Sequence, residues 1–387
     1  VTTADTRNTT ETDNIIIEEM KNIIDVNAHM HTPYSFSAFT GVKQALDMAA
    51  QEGVGVVGIN DFYSLDGYGE WKEECAKRSL YPLFNIEFIS LNSEDQAAGL
   101  RVNDPNNPGR TYLSGKGLAY PVILSGKEAQ QLADVKAESN AQVEKMCAKL
   151  NEHLDAVKAG FNVDFSKVVA ELTRGSVRER HLAKALRMAI AAKAQAEADR
   201  LAIYEKVFGA PLKAAIDNDA AVENEIRSKL LKSGGAAFVP EDPKAFLPME
   251  TVQNIIKAAG GIPTYPFLAD DAKGNFTDFE GDLQKAADTL KKRGFTSVEF
   301  ITTRNTTDVL EQYTDYLQEE GFTVTFGSEH NTPALEPIKL RTRDAECLSE
   351  KLRETNYRGA CMVAAHQAGL DSVDAGDEII QKTINSK

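Results

Sequence analysis

The feature that most constrains this chain is an alternation of short apolar runs with helical stretches, broken once by a long segment that is helical throughout. Ile23 to Ala28 reads as a strand, Thr40 to Glu52 as a helix stopped by Gly53, and Val54 to Asn60 as a second strand. Asp66 to Arg78 is a helix and Leu83 to Ile89 a third strand. This rhythm builds parallel strands with helices packed outside. Asn92 to Lys116 reads as a loop around the turn-rich stretch from Asn103 to Gly109, and Leu118 to Leu124 as a short fourth strand. Ser125 to Lys232 is Ala-rich, charged and Gly-poor, and Ser233-Gly234-Gly235 closes it.

The alternation then resumes. Met249 to Ala259 is a helix, Ile262 to Pro266 a strand, Phe279 to Arg293 a helix and Ser297 to Thr302 a strand. Thr307 to Glu320 and Phe322 to Phe326 follow as helix and strand, with helices expected over Asp344 to Thr355 and Gly359 to Gly369. The expected fold is α/β: a distorted seven-stranded (β/α) barrel over 21–124 and 236–387, a helical insertion over 125–235, and a flexible lead-in over 1–20 that does not read as a signal peptide. The alternative is an open doubly wound sheet, but no Gly-x-Gly-x-x-Gly follows the first strand.

Composition narrows the function. With 387 residues, 42% of them hydrophobic, the chain can bury a full core. A net charge of −15 argues against a duplex nucleic-acid binder. It leaves a small anionic substrate open, because bound metal supplies local positive charge. No apolar run approaches the roughly 18–20 residues of a membrane span. Cys75, Cys147, Cys347 and Cys361 are scattered, with no Cys-x-x-Cys, and read as reduced thiols in a cytoplasmic setting. The sequence does not speak to oligomeric state.

Polar residues stand where the strands stop. The first strand ends in His29 and His31, the second in Asn60-Asp61. Glu87 and Glu299 lie inside apolar strands, and the last strand runs into Gly327-Ser328-Glu329-His330. Residues i and i+2 of an extended chain point the same way, so His29 and His31 can aim two imidazoles at one ion. A carboxylate in a strand buried on both faces needs a partner. Glu87 is read as a ligand, Glu299 as an acceptor for loop amides, and Glu329-His330 as a functional pair. Asp61 either joins the site or caps a turn. Mixed nitrogen and oxygen donors suit Zn²⁺, Mn²⁺ or Fe²⁺. His153 and His366 fall at amphipathic helix positions and read as structural. Ser176 and Glu179 have capping-box spacing, so a helix should start near Val177, with His181 in its first turns beside Arg174, Arg178 and Arg180. Arginines at a helix N-terminus make an anion site.

Together these residues resemble the PHP (polymerase and histidinol phosphatase) superfamily, over roughly 22–333. Asp25-Val26-Asn27-Ala28-His29-Met30-His31 is similar to its opening D-x-H-x-H. Asn85-Ile86-Glu87-Phe88 resembles its G-x-E segment and Gly327-Ser328-Glu329-His330 its closing G-S-D-x-H. Arg178-Glu179-Arg180-His181-Leu182-Ala183-Lys184-Ala185-Leu186 resembles a stretch of the TrpH-like phosphoesterase branch, where the histidine belongs to the site.

The resemblance implies a barrel with a metal cluster and, commonly, phosphoester hydrolysis by a metal-activated water. It departs at three places: Asp61-Phe62 stands for Asp-His, Thr264-Tyr265-Pro266 for Ala-His-Pro, and Glu329-His330 for Asp-x-His. The expectation is therefore a reduced site. One or two ions would be held by His29, His31, Glu87 and Glu329 or His330, with Asp61 nearby. Asp61 or His330 would manage the proton, Tyr265 would serve as donor or weak acid, and Arg178, Arg180, His181 and Arg304 would grip the anion. Two other readings are a metal-dependent hydrolase or isomerase of a sugar or sugar acid, and a non-catalytic binding protein with a degenerate site.

Overall fold

The computed structural model describes residues 22–386; the lead-in expected over 1–20 lies outside the described residues. Seven strands form one sheet in chain order: β1 (Asp25–Met30), β2 (Val54–Phe62), β3 (Tyr81–Leu91), β4 (Arg110–Lys116), β5 (Ile262–Phe267), β6 (Ser297–Ile301) and β7 (Thr323–Gly327). Just past β1 and β7 the ends meet. His31 N donates to Glu329 O at 2.7 Å and Glu329 N to His29 O at 3.0 Å, which makes the sheet a nearly closed barrel. The expected seven-stranded α/β barrel is the observed fold.

All the strand pairs are parallel except those of β4, which runs antiparallel to β3 and β5. This corrects two expectations. The fourth strand is Arg110–Lys116, inside the stretch read as loop, and not Leu118–Leu124. Its alternation hid it: Ser114 and Lys116 face the polar barrel interior, so no apolar run marks it. The C-terminal region also differs, with one unbroken helix, Glu350–Gln367, and a further helix, Val373–Asn385. Gly359 sits mid-helix because a Cβ there would meet Val324 O at 1.8 Å; it marks close packing on β7, not a helix start.

Apolar side chains on the outer face of the sheet pack against the surrounding helices, with Leu46, Trp71, Ile256, Leu290 and Leu317 fully buried. The 31-residue helix Gly126–Ala156 leaves the barrel after β4 and joins the helices Phe165–Leu172, Glu179–Lys193, Glu197–Phe208 and Asp219–Ile226 around a separate core that includes Leu150, Leu186 and Ile226. Its middle residues, Ser139 to Met146, reach over the barrel mouth. The barrel interior is polar: Asn60, Asn85, Glu87, Ser114, Lys116, Thr264, Ser297 and Glu299 are all buried there. Buried polar groups must find partners, and how these do so builds the site.

Candidate metal centre

The end of β1 places His29 and His31 on the inward face, two residues apart. His29 can sit deep because its neighbour on β7 is Gly327; a Cβ there would lie 2.2 Å from His29 Cβ. Each imidazole is held at Nδ1. His29 Nδ1 lies 2.9 Å from Glu299 Oε2. His31 Nδ1 lies 3.2 Å from Ser35 Oγ, whose hydroxyl donates to Asp61 Oδ1 at 2.5 Å. Both partners accept, so the Nδ1 atoms carry protons and the Nε2 atoms face the barrel interior, that of His29 also lying 3.0 Å from Asn60 Nδ2. Burial alone would pull His29 down, but the Glu299 carboxylate raises it to about 9.

The two Nε2 atoms point at one spot. His29 Nε2 and His31 Nε2 are 3.3 Å apart, and Glu87 Oε2 lies 2.9 Å from His31 Nε2 and 3.6 Å from His29 Nε2. Glu87 Oε2 is buried and has no aligned hydrogen-bond partner among the described residues. Burial raises the Glu87 carboxyl and the two histidines outweigh it, leaving it at about 2. Donors about 2.0–2.1 Å from a tetrahedral ion lie about 3.3 Å from one another. Two ring nitrogens and one carboxylate oxygen at this spacing fit a divalent cation, which would bind in place of the extra proton that Glu299 and Glu87 favour on His29. Among the described residues this is the group of three His, Cys, Asp or Glu side chains able to hold one.

Other residues expected in the site are placed differently. Asp61 faces outward, one residue out of step with the inward Asn60 and Phe62, and accepts from Thr32 N at 2.7 Å as well as from Thr32 Oγ1 and Ser35 Oγ. It secures the loop after β1, 4.0 Å from His31 Nδ1, and supports that imidazole instead of joining the converging donors. Glu329 is held by Arg304 Nη2 at 2.6 Å and Asn331 Nδ2 at 2.8 Å. His330 uses both ring nitrogens, on Ser328 Oγ at 2.7 Å and Glu336 O at 2.9 Å, and stacks on Phe39. Neither belongs to the converging donors.

Tyr265 is likewise on the outer face of β5. Strand alternation turns Thr264 and Pro266 inward, and the Tyr265 hydroxyl donates to buried Glu280 at 2.7 Å.

Above the three donors lies a cleft of about 940 Å³ between barrel and insertion. Arg178, Arg180 and Arg304 line it, with Arg110, Arg227 and Lys232. Most of these cations are paired: Arg110 with Glu241, Arg227 and Lys232 with Glu179, Arg304 with Glu329. Arg178 and Arg180 have no carboxylate within salt-bridge reach among the described residues. Arg178 lies 4.7 Å over Phe62, which also stacks on the His31 ring at 5.0 Å. Phe62 is thus a platform between His31 and Arg178. Arg180 is drawn down to about 10 by burial and by Arg227.

His181 does not line this cleft. The helix starts at Glu179, two residues past Val177, with His181 in its first turn as expected, and His181 Nδ1 accepts from Arg178 N at 3.0 Å, capping the helix that presents both arginines. Burial lowers its pKa to about 3.

The sequence reading missed Lys116 entirely and misread Glu299. Lys116 Nζ is fully buried, 2.6 Å from Glu299 Oε2. A lysine ending an alternating Thr-Tyr-Leu-Ser-Gly-Lys run was the available signal. Tyr112, from the same strand, lines the cleft, its hydroxyl kept protonated by burial.

No family model matches the sequence, and no curated protein matches it. Solved structures do share the fold. One is a protein from Bifidobacterium adolescentis assigned by inference as a metal-dependent phosphoesterase. It is 16% identical with a TM-score of 0.54, over 86% of this chain and 96% of that one. Another is an amidohydrolase from Chromobacterium violaceum, solved with bound sulfate and no metal. It is 15% identical with a TM-score of 0.52, over 85% and 95% of the two chains. At these identities the likeness is one of fold.

Proposed function

We propose that this chain is a metal-dependent hydrolase of small phosphoesters, built on a PHP-type barrel. The observation that carries the reading is the convergence of His29 Nε2, His31 Nε2 and Glu87 Oε2 beneath a cleft where, among the described residues, Arg178 and Arg180 have no carboxylate within salt-bridge reach. The fold it shares with an inferred metal-dependent phosphoesterase and with an amidohydrolase that bound sulfate supports the same class.

His29, His31 and Glu87 would hold one divalent ion, with Zn²⁺, Mn²⁺ and Fe²⁺ all compatible with the donor set. When bound, the ion supplies Lewis acidity and an activated water at neutral pH. The chain's own residues do the rest. Glu299 and the Ser35–Asp61 pair fix the two ligand tautomers. Arg178 and Arg180 neutralise and orient the anionic group, from a wall of Phe36 and Phe62 that limits water. Tyr112, a neutral phenol in the cleft wall, is placed to donate a proton to the departing oxygen. Asp61 and His330 stay in their hydrogen-bonded positions and transfer no proton in this scheme. The sugar-directed reading gave the proton transfers to Tyr265 and the carboxylates, and the fold turns Tyr265 away from the cleft.

The test is metal content and turnover together. Protein stripped with chelator is reloaded with each ion and offered phosphomonoesters, phosphodiesters, carboxyl esters, amides and glycosides. Phosphoester cleavage that needs the ion and disappears in His29→Ala, with the circular dichroism spectrum unchanged, is the expected result. Metal-dependent cleavage confined to sugar or amide substrates would overturn the phosphoester assignment.

A further inference from the structure

His29 lies between two buried carboxylates that are used differently. Glu87, at its Nε2 side, keeps an oxygen without a hydrogen-bond partner. Glu299, at Nδ1, is saturated: Oε1 accepts from Ser114, and Oε2 takes both His29 Nδ1 at 2.9 Å and Lys116 Nζ at 2.6 Å.

Lys116 enters this spot because β4 runs backwards through an otherwise parallel barrel. Its side chain comes from the far end of the sheet and has no exposure at all. Lysine is almost never fully buried unless paired. Here the three ammonium protons have three oxygens in reach: Glu299 Oε2 at 2.6 Å, Ala28 O at 3.2 Å and Asn60 Oδ1 at 3.3 Å. An ammonium held by a carboxylate, an amide oxygen and a backbone carbonyl occupies a set of hard oxygen donors of the kind that also suits a metal cation.

We propose that Lys116 is a tethered cation filling a second cation site in the barrel, and that it thereby holds this chain to a single exchangeable metal ion. This rests on the reading of His29, His31 and Glu87 as ligands. The charges are consistent with it. Of the two carboxylates flanking His29, Glu299 is neutralised by Lys116, and Glu87 is left to the ion. A second divalent ion at Glu299 would displace the ammonium's volume and face its charge. Lys116 is a positioning residue in this account: it sets how many ions bind and holds the acceptor that fixes His29.

The experiment counts bound metal. Wild-type protein, Lys116→Ala and Lys116→Gln are stripped, reloaded with excess Mn²⁺ or Zn²⁺, desalted and assayed by elemental analysis, with thermal unfolding as the fold check. One equivalent per chain is expected in the wild type. Two are expected in Lys116→Ala, where the freed oxygens of Glu299, Asn60 and Ala28 form a vacant site, and butylammonium should return the count to one. Lys116→Gln, neutral and one bond shorter, leaves the ammonium's position open; it should also bind two and serves if the alanine variant does not fold. Two equivalents in the wild type, or one in a folded variant, would overturn the proposal while leaving the ligand assignment standing. No metal in the wild type would instead sink that assignment.

Discussion

Replacing Glu299 by glutamine separates charge from shape at the centre of the barrel. Glutamine has the same outline, its amide oxygen can accept from His29 Nδ1 and Lys116 Nζ in place of Oε2, and its NH₂ can face Ser114 Oγ. What is lost is the negative charge 2.6 Å from a lysine with no exposure. Removing one member of a buried pair costs about 3–5 kcal/mol. The loss is bounded by the cost of taking the proton off Lys116, which burial already draws below the ordinary lysine range against the pull of Glu299. The metal-free variant should therefore unfold about 3 kcal/mol more easily at pH 7.

The sign of its pH dependence follows. With the anion gone, the folded pKa of Lys116 falls further below the unfolded value, so between the two the unfolded chain binds more protons and stability rises with pH. The deficit should shrink from pH 7 to pH 9. Metal affinity should also fall, by about 10–100-fold, because His29 loses a charged acceptor behind its ligating nitrogen. Urea unfolding at the two pH values and competition against a chromophoric chelator read both effects. A variant as stable as wild type, with unchanged metal affinity, would refute the argument that this buried network governs the site.

Four further outcomes follow. Glu87→Gln should lose nearly all metal binding while keeping its fold, read by elemental analysis beside circular dichroism; retention of metal would remove Glu87 from the ligand set. Arg178→Ala should lower kcat/KM by about 10–100-fold, as expected for loss of a charge-assisted contact, and Arg304→Ala by much less, because Glu329 already holds Arg304. Tyr265→Phe should leave turnover unchanged and cost about 1 kcal/mol from the lost bond to Glu280; a large kinetic effect would contradict its outward placement. The pKa of His181 is lowered to about 3, so between there and about 6.5 the unfolded chain takes up the extra proton and stability falls as pH falls. The loss should reach about 2 kcal/mol at pH 5, and a His181→Gln variant should show a flatter stability profile over that range.

Much of the framework could be read from the residues. The apolar runs gave six of the seven strands, because an inward or outward apolar face leaves a pattern that needs no partner to be seen. The i, i+2 spacing of His29 and His31 brought two imidazoles to one face, and a carboxylate inside β3 demanded a compensating group. What failed did so by one residue or one strand direction. Asp61 and Tyr265 lie next to inward positions, and alternation turns each to the other face. Glu329 and His330 follow β7 in left-handed backbone, φ 67° and 56°, so no periodicity predicts where they point.

The sequence by itself pointed to a seven-stranded α/β barrel, read as parallel throughout, and put His29 and His31 on one face of its first strand, since these depend on local pattern and hydrophobic period. Only the tertiary structure decided which donors converge. That choice depends on contacts between residues far apart in the chain: Glu299 behind His29, Phe62 between His31 and Arg178, and Lys116 brought in from the opposite end by the one reversed strand. A buried charge is stable only where its partner arrives in three dimensions, and no linear spacing records that arrival.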